Sequence, residues 1–185
     1  MSRRRVAAAL VHHPVLDRAG EVVTTAITNL DLHDIARSAH TFGLERYYVA
    51  HPVAAQRELA LRVRNHWTDG SGARRIPDRR PPMEGLTVLA SLDEIVGQFD
   101  PAADLWITSA RPLAGAVDFA AARELLESPG PGVLLVFGTG WGLAPEIVER
   151  AAVRLAPIES PRADGYNHLS VRAAAAIVFD RLLGR

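Results

Sequence analysis

Eight residues, FGTGWGLA from Phe137 to Ala144, carry the clearest chemical signal in the chain. Gly138, Gly140 and Gly142 follow GVLLV, Gly132 to Val136, an apolar run that reads as a buried strand. Glycines at that place let backbone amides approach a ligand with no side chain in the way. The spacing is G-x-G-x-G, so neither the dinucleotide fingerprint nor the P-loop is present. Two other strands run into polar loops: DLWI into TSARP, with Thr108, Ser109 and Ala110, and VRLAP into IESPRADGYNHLS. The segment GARRIPDRRPP gathers Arg74, Arg75, Arg79 and Arg80. Their planar guanidinium forks suit phosphate, although a solvated surface loop has the same composition. Metal chemistry finds little here. Cysteine is absent, and the seven histidines show no HExxH or paired-ligand spacing.

Elements must hold these loops in place, and the chain alternates between two periodicities. Arg5 to Val15 contains a strand, Asp31 to Gly43 a helix, and LERYYVAHP a second strand ended by Pro52. A helix follows over Val53 to Trp67, then Thr68 to Gly85, which has no periodicity and many breakers and reads as a loop. LTVLA, ADLWITSA, GVLLVFG and VRLAPI read as strands. They are separated by the helices SLDEIVGQF, with Ser91 as its cap, DFAAARELLES and APEIVERA, and the last helix starts within NHLSV. Such alternation predicts an α/β fold: a mostly parallel sheet with helices on both faces. Ligands of open sheets of this kind bind beyond the carboxyl ends of the strands.

Composition sets outer limits. A length of 185 residues, 48% hydrophobic and 23% charged, is expected to form one domain over 1–185. No apolar run reaches the length of a membrane span, and the basic start MSRRR precedes a strand, so a cytoplasmic protein is expected. Twenty-one basic residues, all arginine, balance 21 acidic ones. Any grip on nucleic acid is therefore local, at Arg3 to Arg5 or Arg74 to Arg80.

The stretch from Phe137 to Leu183 resembles the knotted half of the SPOUT methyltransferases. The matching residues are Gly140, Gly142 and Leu143 in the loop, Pro157 and Ile158 at the next strand end, and Asn167, Leu169, Ser170 and Val171 at the helix start. TNLDLHDIARSAHTFGLERYYVAHP is similar to the first motif of that superfamily. HWTDG, FGTGWGL and YNHLSVR together resemble the RNA methyltransferase family sometimes fused to tRNA guanine-N1 methyltransferase. The resemblance implies a C-terminal deep trefoil knot, a homodimer with a shared active site, RNA (tRNA or rRNA) as acceptor and S-adenosylmethionine as cofactor. It implies a cofactor pocket of Thr108, Ser109, Ala110, Phe137, Gly138, Thr139, Gly140, Gly142, Leu143, Pro157, Ile158, Tyr166, Asn167, His168, Leu169 and Ser170. Trp141 either orders that loop or fills the core beside it.

Methyl transfer needs in-line positioning and, where the acceptor carries a proton, a base. Arg37, Asp31 and Asp164 are the candidates, with Asn29 as an orienter. Arg37 lies where ribose-methylating relatives keep a functional arginine, whereas Asp31 stands near their asparagine. Asp34, one turn before Arg37, suits a surface ion pair with it. The RNA is expected at Arg74, Arg75, Arg79 and Arg80. His66 and Trp67 either close their helix on the core or stack on a base. Two other readings stay open: a knotted module that binds the cofactor without catalysis, and a small α/β enzyme using another nucleotide.

Overall fold

The computed structural model describes residues 4–185. Arg3, the first residue of the basic cluster, lies outside the described residues. In chain order the elements are β1 (Val6–Val11), β2 (Val15–Leu16), β3 (Val22–Val23), α1 (Asn29–Thr41), β4 (Tyr47–Ala50) and α2 (Ala54–Thr68). Then come α3 (Ser71–Arg75), a 3₁₀ turn (Pro77–Arg79), α4 (Arg80–Glu84), β5 (Leu86–Leu89), α5 (Leu92–Val96) and β6 (Asp104–Ile107). The chain closes with α6 (Phe119–Glu127), β7 (Val133–Gly138), α7 (Pro145–Val148), β8 (Val153–Arg154) and α8 (Val171–Leu183).

Six strands form one sheet in the order β5-β4-β1-β7-β6-β8, and every pair is parallel. All six residues of β1 are buried, as a central strand covered on both faces requires. Ala8 and Leu10 point into one core, with Trp106, Leu135, Phe137 and Phe179. Ala7, Ala9 and Val11 point into the other, with Ile95, Ile107, Val136 and Ile147. The first core is covered by α1 and α8 and the second by α5 and α7. Phe179 of α8 is fully buried, with its ring edge-on to Phe137 at 5.7 Å. Burying a phenylalanine of this kind stabilises by about 1.5–3 kcal/mol.

Caps fix where the helices start. The Thr28 hydroxyl accepts from the Asp31 amide at the head of α1. Ser91 does the same for Glu94 of α5, whose carboxylate accepts from Ala90 N. Two segments differ from expectation. Residues 68–85 hold α3, the 3₁₀ turn and α4 in place of a loop; neither helix has a capping side chain, and glycines and prolines interrupt the segment. The polar stretch after β1 contains a small antiparallel pair, β2 with β3.

Candidate functional site

Strands β6, β7 and β8 end on one side of the sheet, and the loops leaving them enclose a cavity of about 690 Å³. Thr108, Ser109, Ala110 and Arg111 form one wall, and Phe137 to Gly142 another. Leu155, Ala156 and Ile158 supply apolar surface, and Asn167 to Arg172 close the top. Thr25, Thr28 and Asp31 reach in from the start of α1. The two motifs joined by sequence, GTGWG and NHLSV, therefore face the same space.

Backbone crowding explains the glycines. A Cβ on Gly138 would lie 2.8 Å from Leu143 N, and one on Gly140 would lie 2.8 Å from Leu16 O. Gly140 also has φ of +59°, which side-chain-bearing residues rarely adopt. The loop is pinned to β2 by Trp141 N–H donating to Leu16 O at 2.8 Å. Thr139 and Thr25 share a short hydroxyl–hydroxyl hydrogen bond, and Thr25 also meets His12 Nδ1 at 2.9 Å. Burial, and after it the nearby His51, lowers the His12 pKa to about 4, so the imidazole is neutral at pH 7.

The helix start is equally constrained. Ser170 caps α8 through Ala173 N, and Asn167 Nδ2 donates to Ile158 O at 2.8 Å, closing the loop on itself. His168 lies between the rings of Trp141 and Tyr166, at 6.0 and 5.5 Å. Trp141 is 43% exposed, so it caps the loop from outside and does not fill the core. Three residues expected in the pocket are elsewhere. Leu143 turns down into the core opposite Val15, Tyr166 projects outward, and Pro157 is not on the cavity wall.

The catalytic candidates separate. Asp31 is in the cavity; its carboxylate accepts from the Thr28 hydroxyl at 2.7 Å and from Arg172 Nη1 at 3.2 Å. Arg172 was not singled out by sequence, because its partner lies 141 positions away. It also reaches Asp34 at 3.6 Å, so Asp34 pairs with α8 and not with Arg37. Asp164 is exposed, outside the cavity and ion-paired with Arg162, whose hydrogen bonds hold its carboxyl below the usual range.

Arg37 and Asn29 line a second cavity of about 580 Å³ between α1 and α2, together with Leu30, His33, Asp34, Arg62, Val63, His66, Trp67 and Arg79. Of the four arginines expected to meet RNA, only Arg79 is there. Arg80 is paired with Glu84, and Arg74 and Arg75 are in α3, away from both cavities. Arg62 has no motif around it, and His33, inside the DLHDIAR stretch, is assigned no role by sequence.

Hydroxyl, amide, carboxylate and guanidinium groups beside an apolar wall suit a ligand that is part aromatic and part zwitterionic, and the volume is that of a small-molecule site. Among the described residues no cluster of His, Asp and Glu could hold a metal ion, and no helix is long and apolar enough to cross a membrane.

Comparison with known proteins gives the cavity its chemical context. A family model for SAM-dependent RNA methyltransferases matches residues 5–184. A tRNA (guanine-N(1)-)-methyltransferase of Oleidesulfovibrio alaskensis is 44% identical over 98% of this chain and 42% of its own. The chain thus spans about two-fifths of the length of that relative. An uncharacterized protein of Aquifex aeolicus is 34% identical over all of this chain and 91% of its own. Among solved structures, the SpoU methyltransferase AviRb from Streptomyces viridochromogenes, in complex with AdoMet, superposes with a TM-score of 0.59. That match covers 99% of this chain and 58% of the other at 12% identity, a likeness of fold. With the sheet, the glycine loop and the helix-start motif in place, the chain belongs to the SAM-dependent RNA methyltransferase family.

Proposed function

We propose that this enzyme methylates tRNA, with S-adenosylmethionine in the cavity beyond β6, β7 and β8. The observation that carries this reading is the meeting of the GTGWG loop and the NHLSV helix start on one cavity. S-adenosylmethionine supplies a methyl group on a sulfonium, which leaves as a neutral thioether and needs no acid. Leu155, Ala156 and Ile158 would give the adenine an apolar wall, the hydroxyls of Thr25, Thr28 and Thr139 and the Asp31 carboxylate would serve its ribose and amino group, and Arg172 and Arg111 would serve its carboxylate. These residues bind, orient and exclude water, and positioning is the larger part of what such a transfer demands.

Arg37 is the acceptor-side residue in this reading. Asp31 orients, since its carboxylate is already held by Thr28 and Arg172, and Asp164 is left as a surface group. The Arg37 guanidinium stays protonated, so in this reading it stabilises negative charge developing on a ribose hydroxyl oxygen while the hydroxyl proton passes to solvent. The tRNA assignment draws on the named activity of the longer relative. We also read 1–185 as one domain with the C-terminal segment threaded as a trefoil knot, working as a cytoplasmic homodimer. The support for the knot is α8 packing back on α1 and β7 after the chain has left by the edge strand β8. Support for the dimer is the exposed trio Trp141, Tyr166 and Leu169 near the cavity mouth.

The test is incubation with labelled S-adenosylmethionine and tRNA lacking its modifications, followed by nucleoside mass spectrometry. A methylated ribose confirms the assignment, and a methylated base moves the chemistry to Asp31. Label only in rRNA would displace tRNA. No label in any RNA, with the cofactor bound, leaves a binding module without catalysis.

A further inference from the structure

The second cavity, between α1 and α2, has no part in the cofactor site. Arg37, Arg62 and Arg79 all open onto it, and none of them is in an ion pair among the described residues. The one carboxylate on its wall, Asp34, is drawn away by Arg172. An open cavity of about 580 Å³ with three uncompensated guanidinium groups is a site for an anion.

One of the three is held in place. The Arg79 guanidinium lies over the Trp67 ring, 4.6 Å from its centre. Stacking occupies the face of the cation and leaves its N–H edges free to donate. Trp67 is wedged in turn: His33 and His66 meet it edge-on at 5.3 and 5.0 Å. A Cβ on Gly72 would lie 2.8 Å from Trp67 Cε3, so the indole has no room to move that way. His33 Nδ1 is buried and has no hydrogen-bond partner. Burial, then the Arg79 charge, lowers the pKa of His33 and keeps it neutral, so it adds a polar contact without further charge.

We propose that this cavity binds a backbone phosphate of the RNA acceptor, gripped by Arg62 and Arg79, with Trp67 as the residue that positions Arg79. The inference rests on the RNA methyltransferase reading; of the arginines that the sequence points to, it keeps Arg79 and adds Arg62. Helix α1 is the wall between the cavities, with Asp31 on one side and Arg37 on the other. A strand crossing it sets one nucleotide at the methyl donor while a neighbouring phosphate is held.

The experiment is fluorescence anisotropy with an unmodified tRNA transcript over a salt series, on the full chain saturated with S-adenosylmethionine. R62Q and R79Q are each expected to weaken binding several-fold and to flatten the slope of log K against log salt by about 0.7–0.9, one phosphate contact. The pair R74Q/R75Q, in the neighbouring helix, is expected to leave affinity and slope nearly as in the wild type. Trp67→Leu, which frees Arg79, should weaken binding, and Trp67→Phe should restore most of it. Calorimetry with S-adenosylmethionine should give wild-type affinity throughout, which also shows that the variants are folded. R62Q is the safe variant, because its side chain is exposed. Wild-type affinity and slope in both R62Q and R79Q would overturn the proposal. Inorganic phosphate or AMP binding in this cavity with no tRNA binding would overturn RNA as its occupant. An enzyme that binds no tRNA but another RNA through the same arginines would overturn only the tRNA assignment and support the phosphate site.

Discussion

Gly140 is held by two independent constraints, a left-handed backbone and a neighbour with no room to retreat. A methyl group there would meet the Leu16 carbonyl oxygen, a backbone atom of the hairpin that anchors the loop. Gly140→Ala is expected to cost about 1–2 kcal/mol from φ alone, more with the contact, and to weaken S-adenosylmethionine binding. Urea unfolding and calorimetry check the two effects separately. The need for bare backbone at Gly138 and Gly140 was legible from sequence. The structure adds which neighbours crowd them: the chain meets itself there, at Leu143 and at Leu16. His12 gives a second expectation. Its folded pKa, about 4, is below the unfolded 6.5, so the unfolded chain binds the extra proton between those values. Stability is full above pH 6.5 and falls as pH drops toward 4, by on the order of 3 kcal/mol. His33 and His51, also lowered by burial, act in the same direction. A set of urea midpoints from pH 7.5 to 4.5 tests this, and in His12→Gln the slope should be shallower.

At the scale of elements, α1 and α8 are tied by Arg172, which reaches Asp31 and Asp34 a turn apart on α1. Only the first of these bonds is sheltered, since the Asp31 side chain is 9% exposed and that of Asp34 45%. Arg172→Ala should therefore cost about 1–3 kcal/mol, mostly from leaving Asp31 without its charged donor. Asp34→Asn should cost far less, as exposed pairs do. Thermal melts of the two variants decide it: equal losses would mean that Asp31 draws nothing from Arg172. Helices with two or more turns, such as α1 and α2, were visible as apolar periodicity. α3 and α4 were not: α5 is as short but is announced by its Ser91 cap, whereas these two lack a capping side chain and Arg80–Pro81–Pro82 reads as a breaker. Read as a loop, that region gives no sign that Arg79 turns toward α1 and α2 while Arg74 and Arg75 stay in α3. Long-range pairings such as Asp31 with Arg172 leave no local pattern, which is why the tie between the helices was missed.

For the whole molecule, the strand order turns at β1, with β4 and β5 to one side and β7, β6 and β8 to the other. The cofactor cavity lies beside that turning point, where open parallel sheets leave a crevice. Its mouth carries Trp141, Tyr166 and Leu169, each more than 40% exposed, with Arg111 near the Trp141 ring at 5.9 Å. Three large apolar side chains grouped on a polar surface are costly to leave in water. Under the proposed dimer a second copy covers them and brings its own surface close to the methyl donor. Light scattering should then return twice the 20.0 kDa chain mass at micromolar concentration. Tyr166→Glu, outside the cavity wall, places charge in that interface and should give monomers. The α8 cap at Ser170 and the core beneath it are untouched, so the monomer should keep its fold by circular dichroism. Methyl transfer should fall much more than S-adenosylmethionine affinity, because a shared site loses its acceptor side first. A wild-type monomer, or a Tyr166→Glu variant that is monomeric with full activity, would place the whole active site within one chain.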